Sequence, residues 1–339
     1  MELYFKNERL SQSKLKKILI SPHSFLRSTN EEEDDDDKPG KLPKECLLIG
    51  NAVDCLITEE GAFAEKFKVL DNVVETPVGK YKDFIDNLFL TKQDIHKEIN
   101  SITEEEWYLN AHTKVDAKAK NMALEVFVER FIAGDGKPYY DYLAECQLKQ
   151  TLTVEQWEKT QRIVESLKTH MFTRDYFNLD EEEEAIYQLE LFWDFEGVEM
   201  KSKLDIVIIN HNLKTITPID LKTSENNRKR KFMETFFRNR YDFQGACYNY
   251  ALEQWRKDKY PNYVLEPFLF IVESTKYIGN PRIYELGPET EQIGLRGGKY
   301  EGTKYEGFVD AIERYKFHTD SNLWEYDMEE YQSEGLIQI

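Results

Sequence analysis

Cysteine is scarce. The 339-residue chain has four, at positions 46, 55, 146 and 247, with no C-x-x-C pair. That pattern excludes a disulfide framework and a zinc site, and it fits free thiols in a reducing cytoplasm. No apolar run approaches the roughly eighteen residues of a membrane-spanning helix, and the first residues do not read as a signal peptide. A glycine-rich phosphate loop, G-x-x-x-x-G-K-[ST], is missing, so no P-loop motor is expected. The G-x-S-x-G elbow and the H-E-x-x-H helix are missing too, which removes two hydrolase classes. Six histidines are scattered without ligand spacing.

What is present points to a folded, acidic protein. The length allows one large core or two modest ones, and 20 Tyr and 20 Phe supply apolar area for it. The formal charge is −19, which argues against a simple nucleic-acid coat, because phosphate binding wants cations. The acids are unevenly placed, however. Glu31 to Asp37 is an unbroken acidic run, and Asp180 to Glu184 is another. Residues 199–240 instead carry ten Lys or Arg against five acids. A locally basic site in an acidic molecule suits a DNA groove whose outer surface repels non-specific contact.

The organising stretch is Lys201 to Tyr248. Leu204 to Ile209 is rich in β-branched residues, His211-Asn212 is a polar turn, and Lys214 to Leu221 is a second β-rich run. This predicts a β-hairpin. With the turn centred near 211 and 212, Asp205 is expected opposite Pro218, and Asp220 is then a near neighbour across the ladder. Asp220 and Lys222 lie two apart and share a face, while the Leu221 side chain takes the other. Two converging carboxylates repel unless a cation separates them. Hard oxygen ligands favour Mg²⁺, and a lysine beside the ion can hold a phosphate or orient water.

Four flanking segments add candidates. Phe243 to Trp255 has helical spacing and sets Gln244 and Tyr248 on one face. The run 226–231, with Arg228, Lys229, Arg230 and Lys231, reads as a basic loop beside the hairpin, placed for phosphates or simply a solvated cationic turn. Leu47 to Thr58 reads as a small-residue helix carrying Gly50 and Asp54. Ala185 to Phe195 reads as the preceding strand, turning at Glu196-Gly197. Glu190 sits mid-strand among apolar residues, where a carboxylate is costly without a partner.

Leu204-Asp205 followed by Asp220-Leu221-Lys222, and then the Gln244-x-x-x-Tyr248 helix, resembles the PD-(D/E)XK nuclease superfamily, in its RecE-like, lambda-type and RecB-type exonuclease branch, often phage-encoded. Leu204 replaces the usual proline. The opening S-Q-S-K-L-K-K-I-L-I-S-P-H-S-F is similar to that of RecE-like exonucleases. The resemblance covers the N-terminal helix region and residues 184–275.

It implies an α/β (α+β) fold, a central mixed β-sheet flanked by helices (a restriction-endonuclease-like core), with a helical insertion lobe. Residues 1–60 would add N-terminal helices to the core, 61–180 would form the lobe, and 181–339 the nuclease core and tail. Asp205, Asp220 and the Leu221 carbonyl would hold Mg²⁺ or Mn²⁺, with Lys222 acting on the water or on charge at phosphorus. Gln244 and Tyr248 would place DNA. Comparable helices carry Gly-x-x-x-His, a metal ligand; Asp54 stands there here, either as a further ligand or as a surface or capping contact. Glu190 would support the site or make a strand-edge salt bridge. Some relatives carry an iron–sulfur cluster with three cysteines near the C-terminus. None follows Cys247 here, so no cluster is expected.

The activity implied is a metal-dependent DNA exonuclease of recombination or repair, cytoplasmic and not membrane-bound. A single-strand annealing protein is a possible partner, and self-assembly is open. The alternatives are an endonuclease, a nuclease subunit of a repair complex, or a catalytically silent DNA-binding scaffold.

Along the rest of the chain, Ser11 to Ile20 reads as a capped helix ended by Pro22, and Asp116 to Ile132 as an amphipathic one. Lys114, Lys118 and Lys120 near it could meet backbone phosphate, though they read more simply as a plain exposed helix face. Thr153 with Gln156 reads as a helix cap. Tyr263 to Glu273 and Pro281 to Leu286 read as strands, and Tyr305 to Thr319 as a helix.

Overall fold

The computed structural model describes residues 4, 7–30, 45–59, 61–70, 76–97, 104–115, 124–146 and 149–336. The acidic run Glu31 to Asp37 and the lysines Lys118 and Lys120 lie outside these. Two compact units emerge, one built from Phe63–Glu158 and the other from the flanking segments, including Lys159–Ile339.

The chain enters through strand β1 (Leu10–Ser11) and helix α1 (Gln12–Leu15). Ser11 caps that helix, its hydroxyl accepting from the Lys14 amide at 3.3 Å. A 3₁₀ turn follows, and Pro22 then opens α2 (Pro22–Asn30). Proline fits a first helical turn, where its missing N–H would have no partner anyway. Helix α3 is Glu45–Thr58.

In the Phe63–Glu158 unit, β2 (Phe67–Leu70) leads to α4 (Lys80–Lys97), α5 (Glu104–Thr113), α6 (Leu124–Ile132) and α7 (Lys137–Cys146). β3 (Gln150–Thr153) returns parallel to β2. Stacked rings of Tyr81, Phe84 and Phe127 centre its core. Helix α8 (Val154–Thr169) starts on a reciprocal cap: the Thr153 amide donates to Gln156 Oε1 at 2.9 Å, and the Gln156 amide to Thr153 Oγ1 at 3.2 Å.

The second unit holds the sheet. Strands β4 (Glu183–Phe195), β5 (Val198–Asn210) and β6 (Thr215–Ser224) form an antiparallel meander. Glu196-Gly197 makes the first turn with both residues at positive φ, as a tight hairpin requires. Helices α9 (Lys229–Arg238) and α10 (Tyr241–Lys259) follow, then β7 (Val264–Leu265), β8 (Leu269–Ser274) and β9 (Arg282–Glu285). The run from Tyr263 to Glu273 is thus two strands, parted at Pro267, which has no N–H for a ladder. The chain ends through α11 (Pro288–Arg296), the ribbon β10 (Gly298–Tyr300) and β11 (Thr303–Tyr305), α12 (Phe308–Ser321) and α13 (Met328–Gln332).

The main sheet is seven-stranded and mixed, with β6 parallel to β8. Ile49, Val53 and Ile57 of α3 and Ile163 and Leu167 of α8 pack with Ile206, Ile208, Ile219 and Ile271 of the sheet. Phe243, Cys247 and Leu252 of α10 and Phe308 and Ile312 of α12 pack in a second cluster with Val207, Ile209 and Ile216. The result is a mixed sheet between helical layers, as the sequence implied.

Two features of the sheet position its acidic residues. β4 lines one edge of β5 throughout, so β1 and β6 share its other edge: β1 pairs at Met200 and Lys201, β6 from Ile206 to Asn210. Residues 202–205 have no ladder partner on that edge. At its end, the buried Lys201 ammonium donates to the carbonyls of Tyr4 and Asn7, both at 2.7 Å. The hairpin turn also corrects the expected register. It spans 211–214, with Asn210 Oδ1 accepting from the Leu213 amide at 2.8 Å and Lys214 at φ +54°. Val207, not Asp205, therefore faces Pro218, and the same register brings Asp205 level with Asp220.

Candidate active site

The β5–β6 ladder stops at Ile206 and Ile219, one residue short of the two aspartates. Instead of continuing it, the Leu221 amide donates to Asp205 Oδ2 at 2.9 Å. Asp220, almost fully buried, accepts from Gln244 Nε2 of α10 at 2.8 Å on Oδ1. Its buried Oδ2 pairs with the Lys222 ammonium, 2.5 Å from Nζ. The Lys222 ammonium also sits over the Tyr241 ring, 5.0 Å from its centroid.

Asp54 approaches from α3. Gly50, one turn earlier, lets it do so: a Cβ there would stand 2.8 Å from Thr223 Oγ1 on β6. The carboxylates feel one another. Burial, then the charges of Asp205 and Asp220, raise Asp54 to about 7. Burial raises Asp220 to about 7 as well, against the pull of Lys222 and with the push of Asp205. Asp205 is also raised by burial, opposed by Lys222 and the Leu221 amide. Burial alone would lower Lys222; the charges of Asp220 and Asp205 outweigh it and hold the ammonium above its ordinary pKa.

Acids from two adjacent strands, a lysine two residues after the second, and a glutamine on α10 form one cluster. The family model described as "PDDEXK-like domain of unknown function (DUF3799)" matches residues 11–302. The chain belongs to this family. Among solved structures, the chain is similar to a crystal structure described as a putative exonuclease from Eubacterium rectale, with 12% sequence identity and a TM-score of 0.44 over 97% of this chain and 83% of that one. No curated protein matches.

The PDDEXK-like domain brings some expected residues together and leaves others apart. Asp205, Asp220, Lys222, Gln244 and Asp54 converge. Tyr248 is buried one turn after Gln244, and burial followed by the charges of Asp220 and Asp205 drives its hydroxyl well above the usual tyrosine pKa. Glu190 lies across from Lys203, and its charge reaches Tyr4. The basic run is not a loop throughout. Arg228 is the N-cap of α9, and Lys229, Arg230 and Lys231 form its first turn. Lys231 pairs with Glu234 at 2.9 Å, while the Arg230 side chain is 92% exposed. A cleft of about 800 Å³ is lined by Thr223, Tyr241 and Arg238 and by the ion pairs Lys159–Glu45, Lys231–Glu234 and Lys276–Glu225.

Gln188 carried no sequence signal. It sits on β4 level with Asp205, at φ +52°, and its Nε2 reaches Thr58 Oγ1 at 2.8 Å and the Asp54 oxygens at 3.3 and 3.4 Å. Left-handed backbone in mid-strand at a residue other than glycine is uncommon, and no side-chain pattern announces it.

Among the described residues, no three His, Cys, Asp or Glu side chains form a ready-made metal site. The donor set nevertheless suits a hard divalent ion. Three buried or half-buried carboxylates, Asp54, Asp205 and Asp220, lie close enough to feel one another's charge. The Lys222 ammonium supplies the nearest counter-charge.

Proposed function

We propose that this protein is a divalent-metal-dependent deoxyribonuclease that hydrolyses duplex DNA from an end. The observation that carries the reading is the convergence of Asp205, Asp220 and Lys222 where the β5–β6 ladder opens, with Asp54 and Gln244 reaching the same place from helices on either side.

Asp205, Asp220 and the Leu221 carbonyl would hold Mg²⁺ or Mn²⁺, with Asp54 as a further ligand. Such an ion supplies Lewis acidity and positive charge at the scissile phosphate. The chain's own groups do the rest. Gln244 fixes one Asp220 oxygen, and the Lys222 ammonium holds the other. Lys222, held charged by its carboxylate neighbours, acts as a donor to a phosphate oxygen and not as a base. Tyr241 and Arg238 on the cleft wall would guide the strand, with the exposed cations at the start of α9 meeting flanking phosphates.

The end-dependent part rests on the resemblance of the opening helix and the Gln244–Tyr248 pair to RecE-like enzymes, and that part implies an annealing protein as partner. Incubation of linear and covalently closed circular duplexes with Mg²⁺ or Mn²⁺ tests both levels. Digestion of the linear form only, lost in Asp220→Ala, is expected. Cutting of circles would make the protein an endonuclease. Equal outcomes for wild type and Asp220→Ala would remove the catalytic reading.

A further inference from the structure

We infer that Gln188 is a positioning residue that aims the Asp54 carboxylate at the divalent ion; this rests on the metal-dependent reading above.

The inference starts from the backbone. On β5, Met200 and Leu204 pack into the α10-side cluster, and so do Val207 and Ile209. The step between residues facing that cluster is thus three at Asp205, not two. β4 does the same at Gln188, where Leu191 and Leu189 pack on that side, then Ile186. A strict period of two would put 186 and 189 on opposite faces. The cross-strand register is unchanged through the break, with Tyr187 opposite Ile206 and Leu189 opposite Leu204. Both strands therefore reverse their alternation at one pair, Gln188 and Asp205. The left-handed φ of Gln188 is the local cause on β4.

This costs energy. Left-handed backbone at a residue with a Cβ is sterically disfavoured. A glycine would avoid that cost, so the side chain itself needs a reason to be there.

Hydrogen bonding supplies one. The Thr58 hydroxyl donates to the Asp54 carbonyl at 2.9 Å, so its oxygen is left to accept. The Asp54 carboxylate accepts only, when ionised. The two N–H groups of the Gln188 amide suit this place: Nε2 donates to Thr58 Oγ1 at 2.8 Å and, in a longer shared contact, to the Asp54 carboxylate at 3.3 and 3.4 Å. The amide ties the Asp54 carboxylate to the last turn of α3. It is neutral, so it adds no repulsion to a site that already holds three acids. Partners of this kind fix the orientation of a ligand, and their loss typically weakens metal affinity about 10- to 100-fold.

The test is Mn²⁺ binding followed by electron paramagnetic resonance on the full-length protein, with thermal unfolding in EDTA alongside. Gln188→Met keeps the volume and removes the donor. Gln188→Gly removes the donor and also the backbone strain. Both are expected to bind Mn²⁺ about tenfold more weakly than wild type. In EDTA, Gln188→Gly should unfold no earlier than Gln188→Met, which separates the lost hydrogen bond from lost stability. Affinities within twofold of wild type for both variants would overturn the inference and leave the nuclease reading intact. A wild type that binds no Mn²⁺ would instead overturn the reading on which it rests.

Discussion

Lys222 and Asp54 are the residues whose roles the geometry separates best. Lys222 contacts Asp220 and the Tyr241 ring but supports no strand pairing by its side chain. Lys222→Ala should therefore lower the cleavage rate at least a hundredfold while leaving DNA affinity nearly unchanged, read by nuclease assay and by binding in Ca²⁺. Loss of binding alone would assign it a different role. Asp54 is strained by its neighbours: burial, Asp205 and Asp220 all oppose its charge. Asp54→Asn should stabilise the protein in EDTA at pH 8 by about 1–3 kcal/mol in urea unfolding. The same substitution should reduce the stabilisation that Mn²⁺ gives. The pair Asp220 and Lys222 was legible because charge and period-two spacing mark it on the chain, with Asp205 as its partner across the hairpin. Gln188 was not, because a neutral side chain gives no hint of an unusual φ, and the charged Glu190 two positions on drew the expectation instead.

Among the elements, the hairpin shows where a sequence pattern stops being informative. The β-branched runs located the two strands, although β5 begins at Val198, six residues before the run that marks it, and β6 extends to Ser224. Their register depended on the turn, and the turn depended on Lys214 accepting a left-handed conformation and on the Asn210 side chain bonding to Leu213. Neither is encoded by turn composition alone. The basic run after β6 likewise reads as a loop leading into a helix from Met233 to Arg238; α9 in fact begins at Lys229, because the four cations mask the start of a helix whose buried face is Phe232, Phe236 and Phe237. Helix α3 offers the sharpest test at this scale. Gly50→Ala would press a methyl against Thr223 Oγ1, costing about 1–3 kcal/mol and moving Asp54 away from its partners. Thr223→Ala in the same chain removes the obstructing oxygen. The double variant should recover most of the lost stability and activity, a coupling measurable by a double-mutant cycle. Additive losses would mean that the helix does not bear on β6 at that point.

At the scale of the whole molecule, an overall charge of −19 coexists with a cationic segment at 199–240. Association with DNA should therefore depend on a few exposed cations and weaken steeply with salt. Replacing Lys229 and Arg230 with Glu should reduce affinity and flatten the salt dependence by about one unit of slope per lost phosphate contact. Hydrolysis of bis(p-nitrophenyl) phosphate, which needs no groove, should be unaffected. The chain's first described residues matter in a different way. Lys201 anchors them by donating to the Tyr4 and Asn7 carbonyls, under the Tyr4 ring. Trimming through Asn7, or dragging that segment aside with a bulky N-terminal affinity handle, would strand an ammonium ion with its acceptors gone. A purification handle for this protein belongs at the opposite terminus.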